Sequence, residues 1–264
     1  MLHSRLEEIV EFYLGVVRRA QPSGPYHLGG LCVGGFIALQ VARRLQQEGE
    51  HVALVLLLDA AHVHAAPRSL VKRRLARLSS ALSAQAGQRS RSWVQRSREL
   101  AKTVYQKASN VLSYELSERS RRAQNDARMR LFRSYLEQGR RMPDFLKGIP
   151  VDVVLRFAER EFMEKAPYRG EVVLVRATRA SPSLAGTGID DTPYVENFAS
   201  PLLGWEGKLE SLKVFDASGG HSSMLQPPHV EALAFLVQSQ LEACARDLVL
   251  VAPARVEARE SIVA

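Results

Sequence analysis

The 264-residue sequence contains only two cysteines, Cys32 and Cys244. Two cysteines are too few for the disulfide framework of a small secreted domain. We therefore expect a reducing, cytoplasmic setting in which Cys32 stays a free thiol. The sequence also lacks an apolar run of roughly 18 residues, the length that a membrane-spanning helix needs. Its longest apolar run, VALVLLL at 52–58, has the length of a strand. We expect no membrane partner and, since the N-terminus is acidic, no signal peptide.

Acidic residues are scarce in the middle of the chain. Residues 68–147 hold 20 Lys and Arg against 6 Asp and Glu, whereas the rest of the chain holds 16 against 22. A basic segment can bind nucleic acid. This one lacks the interleaved aromatics, glycine-rich clamps and Cys/His metal spacing of common nucleic-acid readers. We therefore predict no nucleic-acid partner and no metal site; a solvated helical face and an acidic protein partner remain as explanations.

The order of predicted elements favours the α/β class with a mostly parallel sheet. Helix and strand patterns alternate, and this alternation is typical of parallel sheets. The segment 67–147 is helical in pattern and interrupts the alternation as an insert. The predicted helices are 4–19, 35–48 (ended by Gly49) and 229–245, the predicted strands are 26–31, 51–60, 168–178 and 209–217, and a poorly specified tail follows at 246–264.

A glycine-rich turn, Gly30-Leu31-Cys32-Val33-Gly34, joins the first strand to the second helix. It matches the G-x-S-x-G nucleophile turn with Cys in place of Ser. We predict that Cys32 is a nucleophile and that the backbone N–H of Val33 binds an oxyanion. Glycines should be needed here because side chains would collide in so sharp a turn; they are Gly29, Gly30, Gly34 and Gly35. A small buried cysteine is the competing interpretation of Cys32, and we predict that Cys244 is a core residue.

The nucleophile needs a histidine and an acid after it in the chain. His221 fits, because it follows the last predicted strand in the loop DASGGHSSM. The other histidines are poorer candidates: His3, His27, His51, His62, His64 and His229. Asp59 is the favoured acid, since it ends the strand after the nucleophile helix. The alternatives that remain open are Asp190, Asp191 and Asp216.

Several segments resemble the thioesterase domains that end non-ribosomal peptide and polyketide synthases. They are PYHLGG, the cysteine turn, the strand end LLD, YRGEVVLVRAT, LLGW and GGHSSMLQPPHVEALAFL, and the resemblance extends over roughly residues 5–245. It implies an α/β-hydrolase-like fold and a catalytic triad of Cys32, Asp59 and His221. In that family the acid lies 27 positions after the nucleophile, so the resemblance selects Asp59. The family usually has Ser at position 32, although Cys variants are familiar.

The resemblance also implies a function and its partners. The domain would take an acyl, peptidyl or polyketide chain from the phosphopantetheine of an acyl or peptidyl carrier domain, with no cofactor of its own. Acyl transfer to Cys32 would be followed by hydrolysis or cyclisation. A thioesterase domain would occupy 1–245, with a helical lid at about 62–165 and a C-terminal tail at 246–264.

One departure from the family pattern concerns the N-terminus. The family begins earlier, with a strand and a loop that supplies a second oxyanion N–H, so we expect an N-terminally incomplete sheet. This leaves two alternatives to chain release by this domain. One is a catalytically weak or inactive hydrolase fragment that serves as an interaction module. The other is a stand-alone editing thioesterase.

Overall fold

The computed structural model describes residues 3–68, 117, 119–163 and 166–260. The chain divides into two compact units: Met1–Pro67 together with Phe162–Ala264, and Arg68–Glu161. Within the described part of the chain, no helix is both long and apolar enough to cross a membrane.

A four-stranded parallel sheet forms the centre of the first unit. Its strands lie in the order β1-β2-β3-β4, and every neighbouring pair is parallel. The strand bounds are β1 Tyr26–Leu31, β2 Val52–Leu58, β3 Val172–Ala177 and β4 Lys213–Ala217. β2 is apolar throughout, β3 is apolar except for Arg176, and both are almost wholly buried, as is typical of strands covered on both faces. The predicted α/β class and parallel sheet are confirmed.

The described residues of the two units contain helices in addition to the sheet. These helices are α1 Leu6–Ala20, α2 Val33–Gln47, α3 at residues 119–137, α4 Val151–Arg160, α5 Tyr194–Asn197 and α6 His229–Glu260. Short 3-10 turns occur at Asp144–Leu146 and Pro182–Leu184. α6 continues past residue 245, so residues 246–260, predicted to belong to an unspecified tail, are helical.

The α2 helix packs against β1 and β2 through the face that its sequence pattern predicts. Ile37, Val41 and Leu45 are buried, at helical spacing. Gly49 follows the helix with φ 83°, which is the left-handed conformation that favours glycine after a helix end. The helix therefore runs from the cysteine turn back to the start of β2, and it fixes the place of the turn.

An aliphatic cluster lies between α6 and the middle of the sheet. Its buried members are Leu54, Leu56, Val173, Val175, Ala177, Ala217, Met224, Leu233 and Cys244. Cys244 is 8% exposed, and the prediction that it is a core residue is confirmed. This packing holds together the carboxyl ends of β2, β3 and β4, where the candidate site residues follow.

The second unit contains α3 and α4 with a small core of its own. Its buried residues are Met129, Phe132, Leu146, Ile149, Val154 and Phe157. The helical pattern predicted for 67–147 holds at 119–137. Residues 69–116 lie outside the described residues, and the lid at about 62–165 stays a prediction.

Candidate active site

The turn after β1 places Cys32 at the carboxyl edge of the sheet. Cys32 has φ 58° and ψ −130°, and a positive φ is costly for any residue with a side chain. Its N–H donates to the Leu58 carbonyl at 3.0 Å, so the turn is tied to the end of β2. The turn leads directly into α2, which begins at the next residue.

Two glycines make this turn possible. A Cβ added to Gly30 would lie 2.4 Å from the Gly34 carbonyl carbon, and one added to Gly35 would lie 2.7 Å from the Ala60 Cβ. The expectation for Gly34 itself is wrong, because a Cβ there meets no atom within 4 Å. Gly34 is the last position of the five-residue motif, but the residue that packs closely, against Ala60, is Gly35.

Asp59 follows β2 directly and is fully buried, with 0% of its surface exposed. Its Oδ1 accepts a hydrogen bond from the Ala177 N–H at 3.2 Å. Its Oδ2 accepts from the Tyr194 N–H at 3.2 Å and from His221 Nδ1 at 2.7 Å. Both carboxylate oxygens therefore have donors from three separate parts of the chain, and the side chain is held in one orientation.

His221 lies in the loop after β4, with its side chain 17% exposed. Burial alone would lower the pKa of its imidazole, but the hydrogen bond with Asp59 and the interaction with Cys32 raise that pKa to about 9. Burial likewise raises the pKa of the Cys32 thiol. Hydrogen bonding to His221, Tyr194 and the Val33 N–H outweighs this and leaves the thiol pKa lowered. Both directions favour a thiolate paired with an imidazolium.

The structure brings together the three residues that the sequence singled out as a triad. Cys32, Asp59 and His221 come from the ends of β1, β2 and β4, and the parallel sheet gathers these ends at one edge. The His221–Asp59 contact has the geometry of a histidine held by a carboxylate, and the other side of the ring interacts with Cys32. Such an arrangement can activate a thiol for acyl transfer.

Asp191, a rival candidate for the acid, holds the backbone around the histidine. It is 5% exposed. Its carboxylate accepts from the N–H groups of Ser181, Ser222 and Ser223 at 2.7–2.8 Å and from the Ser223 hydroxyl at 2.8 Å. Its carbonyl accepts from the His221 N–H at 3.2 Å. Burial would raise the carboxyl pKa of Asp191, but these hydrogen bonds lower it.

The remaining rival acids are engaged elsewhere. The Asp216 carboxylate pairs with Arg176 at 2.7 Å. Asp190 caps its own turn, where its Oδ1 accepts from the Thr192 N–H at 3.0 Å. Of the other histidines, His229 Nδ1 lies 3.2 Å from the Ser218 hydroxyl. His62 is buried against Trp205, with 5.0 Å between the ring centroids.

Tyr194 is a site residue that the sequence reasoning missed. Its hydroxyl lies 3.0 Å from the Cys32 sulfur, and its ring stacks on the His221 ring at 4.1 Å between centroids and 11° between planes. Its N–H donates to Asp59, so this one residue contacts all three. The only sequence signal is an aromatic residue after Pro193, in the loop that follows β3, and that signal alone is weak.

A sequence profile of the thioesterase domain family matches residues 1–144, which is more than half of the chain. The chain belongs to the thioesterase family. The match includes the cysteine turn and Asp59, and it identifies the chain as a thioesterase enzyme with the expected α/β fold.

Among known proteins, this thioesterase is similar to short parts of large synthases. It is 48% identical over 56 residues to malpinin synthetase of Mortierella alpina, a match that covers 21% of this chain and 1% of that protein. It is 49% identical over 55 residues to the bikaverin polyketide synthase of Gibberella fujikuroi, again over 21% of this chain and 3% of that protein. The matched part thus spans 1–3% of the length of these relatives.

Solved structures similar to this thioesterase include the NocB thioesterase domain in covalent complex with a fluorophosphonate nocardicin G analog. That domain is 21% identical, with a TM-score of 0.46 over 91% of this chain and 76% of the other. Human thioesterase 2 is 13% identical, with a TM-score of 0.46 over 90% of this chain and 82% of the other. Both TM-scores are below 0.5, and the family membership rests on the sequence match.

Proposed function

We propose that this thioesterase releases an acyl, peptidyl or polyketide chain from the phosphopantetheine arm of a carrier domain. The observation that carries the proposal is the alignment of Cys32, His221 and Asp59, with 2.7 Å between His221 Nδ1 and the Asp59 carboxylate. The similarity to non-ribosomal peptide and polyketide synthases supports a carrier-bound substrate. In this proposal the substrate brings the phosphopantetheine, and the chain needs no cofactor of its own.

In the first step, the Cys32 thiolate attacks the thioester carbonyl of the incoming chain. The Val33 N–H hydrogen-bonds to the Cys32 sulfur, which supports its proposed role as a donor to the oxyanion that forms beside that sulfur. Collapse of this intermediate forms the acyl–Cys32 thioester and breaks the bond to the pantetheine sulfur. The leaving thiolate takes the proton of the His221 imidazolium, and Asp59 keeps the ring oriented.

In the second step, neutral His221 accepts a proton from water or from a nucleophile within the chain. That nucleophile attacks the acyl carbon, and Cys32 leaves as thiolate. Cysteine makes the loading step an exchange between two thioesters, which is nearly neutral in free energy. The acyl-enzyme therefore stays activated, and this favours cyclisation by a weak internal amine or hydroxyl, with hydrolysis as the simpler outcome.

The carrier domain is the proposed partner, and the basic segment 68–147 is its proposed docking surface. The excess of 14 positive charges in that segment would attract an acidic carrier. Attraction of this kind weakens as salt screens the charges. Turnover of carrier-bound substrate should therefore fall with ionic strength, while turnover of a small free thioester should not. Equal salt dependence of the two substrates would rule out docking by charge.

Intact-mass measurement of an acyl adduct tests the proposed nucleophile. The chain is mixed with a slowly released acyl thioester, and the expected product is one acyl group on Cys32. Cys32→Ala should give no adduct, whereas Cys244→Ala, which changes the buried cysteine of α6, should keep it. An adduct that persists in Cys32→Ala would overturn the mechanism. No adduct in the unaltered chain would favour the non-catalytic interaction module.

A further inference from the structure

The side chain of Tyr194 reaches both reacting side chains of the site. Its hydroxyl is 3.0 Å from the Cys32 sulfur, close enough for a hydrogen bond. Its ring lies parallel to the His221 ring at a stacking distance of 4.1 Å. The N–H of the same residue is fixed on the Asp59 carboxylate. The backbone of Tyr194 is therefore tied to the site, while its hydroxyl contacts Cys32 and the face of its ring contacts His221.

Cys32 is half-buried, and burial disfavours a thiolate unless donors surround the sulfur. The described groups that face the sulfur are the His221 imidazole, the Tyr194 hydroxyl and the Val33 N–H. Asp59 acts on it through His221, and Glu196, on the same helix as Tyr194, is exposed to solvent. A phenol hydroxyl at 3.0 Å must donate when the sulfur is ionised, because a thiolate only accepts.

We propose that Tyr194 is a further catalytic residue, whose hydroxyl donates a hydrogen bond to the Cys32 thiolate while its ring stabilises the His221 imidazolium. The inference rests on the proposed function for its role in turnover, but the contacts of Tyr194 with Cys32 and His221 are present without substrate. An aromatic face next to a cation is attractive, and a hydrogen bond to an ionised acceptor is about twice as strong as a neutral one. The hydrogen bond to Cys32 and the stacking on His221 therefore both favour the thiolate–imidazolium pair.

This assignment explains how the site can change roles between the two steps. In the resting state the ion pair supplies a ready nucleophile and an acid for the leaving thiol. Once Cys32 is acylated, its sulfur carries no charge and accepts hydrogen bonds poorly. The Tyr194 hydroxyl then loses its anionic partner, and His221, having given its proton to the leaving thiol, is the base that deacylation needs. No proton has to pass from the thiol to the imidazole during the reaction.

The test is the pH dependence of alkylation by iodoacetamide, which reacts with the thiolate and needs no thioesterase activity. Peptide mapping reports Cys32 separately from Cys244. In Tyr194→Phe the ring stays and the hydroxyl is lost, so the midpoint of the Cys32 profile should rise by about one pH unit, the equivalent of one charge-assisted hydrogen bond. Tyr26→Phe is the matched control, since it also removes a buried tyrosine hydroxyl, one that donates to the Gln21 carbonyl at 3.1 Å. Its midpoint should equal that of the unaltered chain.

A second substitution covers the case in which Tyr194→Phe does not fold. Incorporation of 3-fluorotyrosine at position 194 keeps the ring and makes the hydroxyl a stronger donor, so the midpoint should fall. An unchanged midpoint in the folded variants would overturn the role of Tyr194, even if Cys32 forms acyl adducts. A shifted midpoint in a chain that forms no acyl adduct would instead overturn the proposed function and leave the ion pair in place.

Discussion

The decisive substitution for the proposed triad is Asp59→Asn, with Asp191→Asn as its matched control. Both aspartates are buried, at 0% and 5% exposure, and both accept backbone hydrogen bonds. Only Asp59 contacts the His221 ring, at 2.7 Å. Asp59→Asn therefore removes the charged partner of the His221 ring, whereas Asp191→Asn weakens only the hydrogen bonds that hold the loop around His221.

The expected loss of activity for Asp59→Asn follows from its three donors. If the asparagine oxygen replaces Oδ2, the amide NH₂ faces the Ala177 N–H and leaves it unpaired. If the amide is turned round, its NH₂ faces His221 Nδ1, which must then accept, and the ring carries its proton on the wrong nitrogen. In either orientation the imidazolium loses its negative partner. An aspartate-to-asparagine change that imposes the wrong tautomer in a serine triad lowers kcat about 10⁴-fold, and we expect a loss of about 10³–10⁴-fold here.

Asp191→Asn should behave differently. One of its four hydrogen-bond donors can adapt, because the Ser223 hydroxyl can rotate, but the Ser181 N–H or the pair at Ser222 and Ser223 would face an amide NH₂. An unsatisfied buried donor costs about 1–3 kcal/mol. We therefore expect a lower free energy of unfolding and a loss of activity far smaller than that of Asp59→Asn.

The assay is hydrolysis of a short N-acetylcysteamine thioester, run beside urea unfolding of each variant. The free energy of unfolding shows whether a loss of rate reflects unfolded protein. The assignment of Asp59 is refuted if Asp59→Asn keeps a rate within tenfold of the unaltered chain, or if folded Asp191→Asn is the variant that loses about 10³-fold.

Two further predictions concern the pH profile and the turn. The rate of acyl transfer to Cys32 should fall as the pH rises past about 9. The pKa of His221 is raised to about 9, so at higher pH its imidazolium loses the proton that the leaving thiol needs. Pre-steady-state acylation rates would measure this fall, and a rate that stays constant through pH 10 would contradict the prediction. Gly30→Ala should lower the free energy of unfolding by about 1–3 kcal/mol because its Cβ would lie 2.4 Å from backbone, while Gly34→Ala should raise it by about 0.5 kcal/mol by restricting the unfolded chain. Urea titrations would measure the free energy of unfolding of both variants. An equal change in the two variants would contradict the steric role assigned to Gly30.

Some of the fold could be predicted from the sequence because its signals are local. The run at 52–58 is apolar throughout, and β2 is buried at nearly every position. The position of Gly49 marked the end of α2. Strand starts were less accurate: the segment 168–178 was predicted as one strand, but Tyr168 forms only an isolated bridge and β3 begins at Val172. Gly170, with φ 150°, separates them, and no periodic pattern carries that information.

The candidate site could be predicted in part for a similar reason. Cys32 sits in a motif of five consecutive residues, and His221 and Asp59 follow strand ends that a parallel sheet brings to one edge. Spacing from the residues alone left four aspartates open, since each follows or ends a strand. The choice among them is decided by side-chain contacts between distant segments, such as the 2.7 Å contact that joins Asp59 to a residue 162 positions away.

The segment 190–194 has a different role in the structure from the one that the sequence suggested. From the sequence it was a source of rival acids, because it follows a strand and carries two aspartates. In the structure Asp191 fixes the backbone on both sides of His221, and Tyr194 fixes the side chains of Cys32 and His221. The loop therefore contacts the proposed triad and contributes none of its three residues. If Cys32 is the nucleophile, as we propose, these contacts matter more than they would for a serine, because a thiolate can form in the resting enzyme and needs hydrogen-bond donors around it before the substrate arrives.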